Sequence, residues 1–455
     1  MTATAPLPAS PCKDREARLL DIGTALARGG GADEIEAVFL EGRSYLTRFS
    51  RNHIHQNVGT EEVWASLRVV VGNRLGVATV SSLRPEALAG ARDEAVAIAR
   101  ASDPVEDWPG LPPPRPVEPL PAYDAATAEA SAEARASMAG AVINAARAVK
   151  GEAAGAVEIE EGTVAVASSA GVAVASSHTR ATVHTVVTCG DGSGYAEGQS
   201  TRIGDLAARG IGRRAARKAA DSRNPQPLPP GRYDVILEPA ATAEWVEFLS
   251  YIAFSGKTFQ EGRSPLSGRL GQRVTGEAVT IWDNGRDPRT LPHAFDFEGM
   301  PTSRLVLISR GVAKAVASGY YRARRLGKRR STGHALPASS GFECLPMRLF
   351  MKGGQASLER LIKETPRGLL ITRFHYTNIL DPMKTVLTGM TRDGTFLVEN
   401  GAVVGPVRNL RYTENVLEAL GRIDGASRRL TLTKSNCVVP AVRIRQVQFT
   451  GATEF

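Results

Sequence analysis

The 455-residue chain has few cysteines: Cys12, Cys189, Cys344 and Cys437 stand far apart. With no CxxC pair, they suggest neither a disulfide framework nor a zinc ribbon. Aromatic residues are scarce, at 6%, so Ala, Val and Leu must carry the packing. No apolar run approaches the ~18 residues of a spanning helix. The opening stretch, MTATAPLPASPCKD, has neither the basic nor the apolar segment of a secretory leader. These absences lead to the expectation of a reduced, cytoplasmic protein that does not enter membranes.

The chain is 42% hydrophobic, which is enough for two or three domains of roughly 100–200 residues. Its 56 Lys and Arg outweigh 47 Asp and Glu, a net +9. Basic residues cluster at Arg213, Arg214, Arg217 and Lys218, and again over Arg322–Arg330. Such clusters can neutralise phosphates, but no aromatic residues interleave with them as single-strand binding wants. A solvated helix face is the plainer reading, and nucleic acid is not the expected partner.

Two proline-rich breaks divide the chain, one over 104–121 and one over 224–231. Proline fixes φ and removes a donor, so neither break continues a helix or a central strand. The expected organisation is an α+β domain over 1–103, a linker over 104–121, a second α+β domain over 122–223 and a β-rich domain over 231–455. In the first, helices at Asp14–Arg28 and Pro85–Ala101 bracket strands at Glu34–Leu40, Ser44–Phe49, Val63–Val71 and Leu75–Val80, with Glu41-Gly42 as a separator. In the second, a helix at Ala125–Val149 precedes short strands between 156 and 188, with Gly162 as a turn. A tight loop at Gly190–Gly194 and a helix at Asp205–Ala219 follow. In the third, a strand at Arg232–Leu237 leads into a helix at Ala240–Phe254, where Trp245, Phe248, Leu249 and Ile252 recur at helical spacing. Closely spaced strands after it suggest a large, mainly antiparallel, curved or barrel-like sheet, with Asp393-Gly394 and Asn400-Gly401 as hairpin turns.

Familiar chemistry is missing. Ser255-Gly-Lys-Thr258 resembles the end of a phosphate loop, but Tyr251 stands where that loop needs glycine. No serine has glycine two positions away on both sides, and no histidine is followed by Glu, which excludes a nucleophile elbow and an HExxH helix. His53 and His55 would share a strand face, but no third ligand is in register with them, so they read as a surface pair.

Five stretches taken in order resemble the TldD/PmbA family, once called modulators of DNA gyrase. They are Arg51–Val58 with Val69–Val77, Asp191–Gly194, Phe259–Gly271, Tyr320–Gly327 with Ser331–His334, and Thr395–Gly401 with Pro406-Val407. The resemblance implies a cytoplasmic zinc metallopeptidase complex of two related chains, acting on short or unfolded peptides in peptide maturation or degradation. In the metal-bearing, TldD-type chain a helix carries HExxxH, and a cysteine near the C-terminus adds a ligand. Zinc needs such a set, with an open position for the water it acidifies.

Counting back from Gly262–Gly268 puts that motif on Glu247, Phe248 and Ile252, none of which matches it. Cys437 lies about where the cysteine ligand is implied and reads as a remnant or a packed residue. The resemblance therefore implies a TldE (PmbA)-type chain with no catalytic residue and no metal of its own. Zinc is expected in a TldD-type partner, in a heterodimer; pairing of identical chains is a second arrangement. A strand edge, guessed at Leu387–Asn400, would hold the peptide. Two alternatives are a nucleic-acid or gyrase-associated binding protein using Arg322–Arg330, and an enzyme with a relocated site drawn from His53, His55, His334, His375 or Cys437.

Overall fold

The computed structural model describes residues 11–452; most of the opening stretch read for a leader lies outside them. Among the described residues no helix is long and apolar enough to cross a membrane. The N-terminal half runs α1 (Pro11–Ala27), β1 (Glu34–Ser50), β2 (His53–Val71), β3 (Arg74–Val80), α2 (Pro85–Ala101), α3 (Ala125–Ala128), α4 (Ala132–Ala148), β4 (Glu152–Ser168), β5 (Ala173–Cys189), β6 (Gly192–Ser200) and α5 (Ala208–Asp221). Its strands form one antiparallel sheet in the order β3-β2-β1-β4-β5-β6. The strands on both sides of the proline-rich 104–121 segment therefore share a single sheet.

Helices cover one face of that sheet. Leu88, Ala95 and Ala99 of α2 share a core with Leu67 and Val69 of β2. Val142 and Ala146 of α4 and Ala215 and Ala219 of α5 share another with Val183 and Val187 of β5. On the opposite face, Val38 and Val166 pack with Phe295 and Met300 of the C-terminal half. Arg68 of β2 pairs with Glu36 of the neighbouring β1 at 2.7 Å and reaches across the same junction to Glu298 at 3.3 Å.

The C-terminal half runs β7 (Gly231–Leu237), α6 (Pro239–Ala253), α7 (Gly256–Gln260), β8 (Ile281–Asp283), β9 (Leu305–Ser309), β10 (Val312–Ala313), α8 (Tyr320–Arg325), β11 (Leu349–Met351), α9 (Leu358–Lys363), β12 (Arg367–Asp381), β13 (Val386–Glu399), β14 (Ala402–Pro406), β15 (Leu410–Asn415), α10 (Val416–Leu420), β16 (Ile423–Ala426), β17 (Thr431–Leu432), β18 (Val438–Val439) and β19 (Val442–Ala452). The order β12-β7-β19-β15-β13 closes when β13 pairs back with β12, so the expected curved sheet is a ring of strands. The strand pairs β12–β7 and β11–β18 are parallel; the other pairs between named strands of this half, among the described residues, are antiparallel. Trp245, Val246, Leu249 and Ile252 of α6 share a core with Val235, Leu369 and Phe449 of the ring.

Four details differ from the sequence expectation. Gly42 and Gly162 are not turns: they face each other in mid-strand. A Cβ on Gly42 would lie 2.5 Å from the Glu161 carbonyl oxygen, so glycine serves a close backbone approach there. The Ala125–Val149 helix is broken, and Ser131 caps its second part by accepting from the Ala134 amide. Asp393-Gly394 does not end a strand. With φ of 54° and 118°, it kinks β13 where the pairing with β12 shifts register. Finally, Leu387–Asn400 is no open edge, because β13 pairs with β12 on one side and with β14 and β15 on the other.

Candidate functional site

Helix α6 begins at Pro239, whose missing amide costs nothing at a first turn. Its apolar stripe faces the ring, and Trp245 stacks on Phe374 with centroids 5.4 Å apart. The i, i+3, i+7 positions Glu244, Glu247 and Tyr251 fall on another face. There α6, β6, β12 and the segment before β18 enclose a cleft of about 380 Å³ lined by Glu244, Glu247, Phe248, Arg373 and Lys434.

The cleft gathers carboxyl groups. Burial pushes Glu244 up to about 7, although the Thr377 hydroxyl donates to it and Arg373 lies nearby. Burial also raises Glu247, which accepts a hydrogen bond from the Tyr251 hydroxyl at 3.2 Å. Glu197 accepts from the Tyr195 hydroxyl and, at 3.0 Å, from the Lys434 amide. Arg373 places its guanidinium 4.3 Å from the Tyr195 ring centroid and bonds Asp393 at 2.6 Å.

Lys434 also walls a second, open cleft of about 470 Å³, together with Arg48, His55, Glu158 and His184. Its ammonium lies 3.3 Å from His184 Nδ1 and 3.8 Å from Glu158. Burial, then the Lys434 charge, pushes His184 down to about 4, so the ring is neutral and accepts from the lysine.

The residues expected at the degenerate metal helix are brought near one another but do different things. Glu247 and Phe248 line the cleft, whereas Ile252 is buried in the ring core with Cys437. The Cys437 thiol contacts the Ser435 carbonyl at 3.7 Å, and burial pushes it up to about 12. Structural zinc takes four donors and catalytic zinc takes three plus water. Phe248 and Ile252 have no donor atom, which leaves Glu247 and Cys437 short of either set, so these positions do not fit a zinc ion. Among the described residues no three His, Cys, Asp or Glu side chains are grouped to hold a metal.

The other candidate histidines are scattered. A bulge at Arg48/Phe49 interrupts the alternation that would align His53 with His55. His53 Nδ1 lies 2.7 Å from the Arg51 carbonyl, and only His55 reaches the second cleft. His334 is buried between Asp283 and Thr332, each at 2.9 Å. Burial would lower it, but the Asp283 carboxylate outweighs that and raises it. His375 sits on β12 beside a register shift. Arg322 of the basic run is committed to Glu343 at 2.8 Å, and Arg325 faces Glu106 at 3.5 Å.

Sequence reasoning missed Glu244, Arg373, Lys434 and all of the second cleft's residues but His55. Glu244 was within reach, one helical turn before Glu247; the others come together only through the fold.

Three family models match the chain: PmbA/TldA metallopeptidase domain 1 over residues 35–99, the central domain over 114–223 and the C-terminal domain over 230–451. The chain is similar in fold to TldE from Thermococcus kodakarensis, with a TM-score of 0.86 and 24% identity over 96% of this chain and 99% of that one. It is 27% identical over 216 residues to a metalloprotease of Methanothermobacter thermautotrophicus, which is 47% of each chain. It is also 27% identical over 214 residues to the metalloprotease PmbA homolog of Haemophilus influenzae, 46% of this chain and 44% of that one. The chain thus spans about half the length of the curated relatives it matches.

Proposed function

The chain belongs to the PmbA/TldD metallopeptidase family, and on that premise we propose that it is a TldE-like, non-catalytic subunit of a two-chain peptidase. The observation that carries this reading is the content of α6 and its surroundings. Where the resemblance expects a zinc helix, the chain has one carboxylate, Glu247, one phenyl ring, Phe248, and one core aliphatic, Ile252. A general base and two ligands are lacking together at these positions.

In this reading zinc and its activated water belong to a TldD-type partner of related fold, and the two chains form a pseudo-symmetric dimer. This chain helps enclose a chamber that admits short or unfolded peptides and excludes folded proteins. Its carboxylate-lined cleft beside α6 then meets peptide rather than metal.

Co-expression with an HExxxH-bearing relative from the same organism, followed by affinity capture and light scattering, tests the reading. A 1:1 heterodimer that cleaves unfolded peptides is expected. A chain that remains alone in the presence of that relative contradicts it.

A further inference from the structure

The two clefts share the Lys434 side chain as a wall, and their charges are opposite. In the open cleft, the Arg48 guanidinium bonds the Gln56 amide oxygen at 3.5 Å and, among the described residues, pairs with no carboxylate. The carboxylate there, Glu158, already faces Lys434 and His184, each at 3.8 Å. One guanidinium charge is therefore left over. In the cleft beside α6 the balance reverses. Glu197, Glu244 and Glu247 line it; of its two cations, Arg373 is committed to Asp393 and Lys434 turns its ammonium to His184 in the other cleft. The lysine runs between the two, its amide at Glu197 and its ammonium at His184.

We propose that the two clefts, which adjoin at Lys434, together bind a short extended peptide with both ends free, its terminal carboxylate toward Arg48 and Lys434 and its amino group toward Glu244 and Glu247. The complementarity is that of a long dipole. A single amino acid carries its two charges on neighbouring atoms, whereas each residue of an extended chain separates them by roughly 3.3 Å more. Apolar side chains are available between the ends: Leu46 in one cleft, Phe248 in the other. Fragments released by a peptidase have this form. The inference rests on the peptidase-subunit reading above and adds to it a retained class of ligand.

Calorimetric titration with tetra-alanine in four forms tests it: free-ended, N-acetylated, C-amidated and doubly capped. The chain is titrated alone and in the heterodimer. The free-ended peptide should bind tightest. Amidation should weaken it about two- to fivefold, as for an exposed ion pair, and acetylation about tenfold, because Glu244 is more enclosed. Arg48→Ala should weaken the free acid and leave the amide unchanged. Glu244→Gln should abolish the effect of acetylation. Circular dichroism and unfolding midpoints verify that both variants fold. Equal affinity for capped and free peptides, equal losses on both in the variants, or no binding in either state overturns the inference. A heterodimer that ignores peptide ends defeats this inference alone; end-specific binding by a chain that never captures its partner defeats the other reading.

Discussion

Replacing Glu244 by Gln removes a charge that folding has placed at a cost. The carboxyl is half-buried, and its pKa is pushed from 4.5 up to about 7, first by burial, against the Thr377 hydrogen bond and Arg373, with Glu247 and Glu197 adding repulsion. A folded value above the unfolded one means that the stability contribution is intact below about pH 4.5 and is lost as the pH rises through 7. The interval from 4.5 to about 7, at about 1.4 kcal/mol per pH unit, gives a ceiling of about 3 kcal/mol. Partial hydration of a half-buried group reduces this to about 2 kcal/mol. The amide keeps an acceptor for Thr377 and carries no charge. Glu244→Gln should therefore stabilise the chain by about 2 kcal/mol at pH 8 and by nearly nothing at pH 4.5. Urea unfolding followed by tryptophan fluorescence reads this directly, since Trp245 is the adjacent residue. A gain equal at the two pH values, or a loss at pH 8, would refute the reasoning. A gain in stability together with weaker peptide binding is the trade-off expected of a residue kept for function.

Arg68→Met leaves Glu36 and Glu298 buried without their cation. Unfolding at pH 8 should show a loss of about 3–5 kcal/mol, smaller at pH 5.5, because burial already pushes Glu36 up to about 7 and removing the arginine raises it further. Gly76→Ala would put a Cβ 1.9 Å from the Ala95 carbonyl oxygen of α2, and thermal unfolding should report about 1–3 kcal/mol of overpacking. Cys437 is buried, with its thiol pushed up to about 12. Alkylation of the native chain followed by mass spectrometry should leave it unmodified until the chain is unfolded, and Cys437→Ala should leave metal content and partner capture unchanged.

Local signals placed much of the fold. The α2 bounds follow from Pro85 at the first helical turn and a regular apolar spacing, and they agree residue for residue. The strand before α6 and α6 itself are offset by one residue. Glycine was harder to read, because the same residue marks a turn at Gly171, with φ of 93°, and a mid-strand close approach at Gly42. Strand β6 was hidden by its small polar composition, Gly-Ser-Gly-Tyr-Ala-Glu-Gly-Gln-Ser. It is held by pairing with β5 rather than by its own side chains. In the candidate site, Glu247 and Phe248 were visible because they lie on one helix. Arg48, Arg373 and Lys434 converge from β1, β12 and the segment before β18, and no local pattern encodes that meeting.

The most direct test of the central claim is elemental analysis paired with a peptidase assay, on the purified chain alone and on the chain assembled with an HExxxH-bearing relative. The account predicts negligible zinc and no cleavage for the chain alone, and one zinc per heterodimer with cleavage of an unfolded peptide. Stoichiometric zinc and hydrolysis by the isolated chain would contradict it.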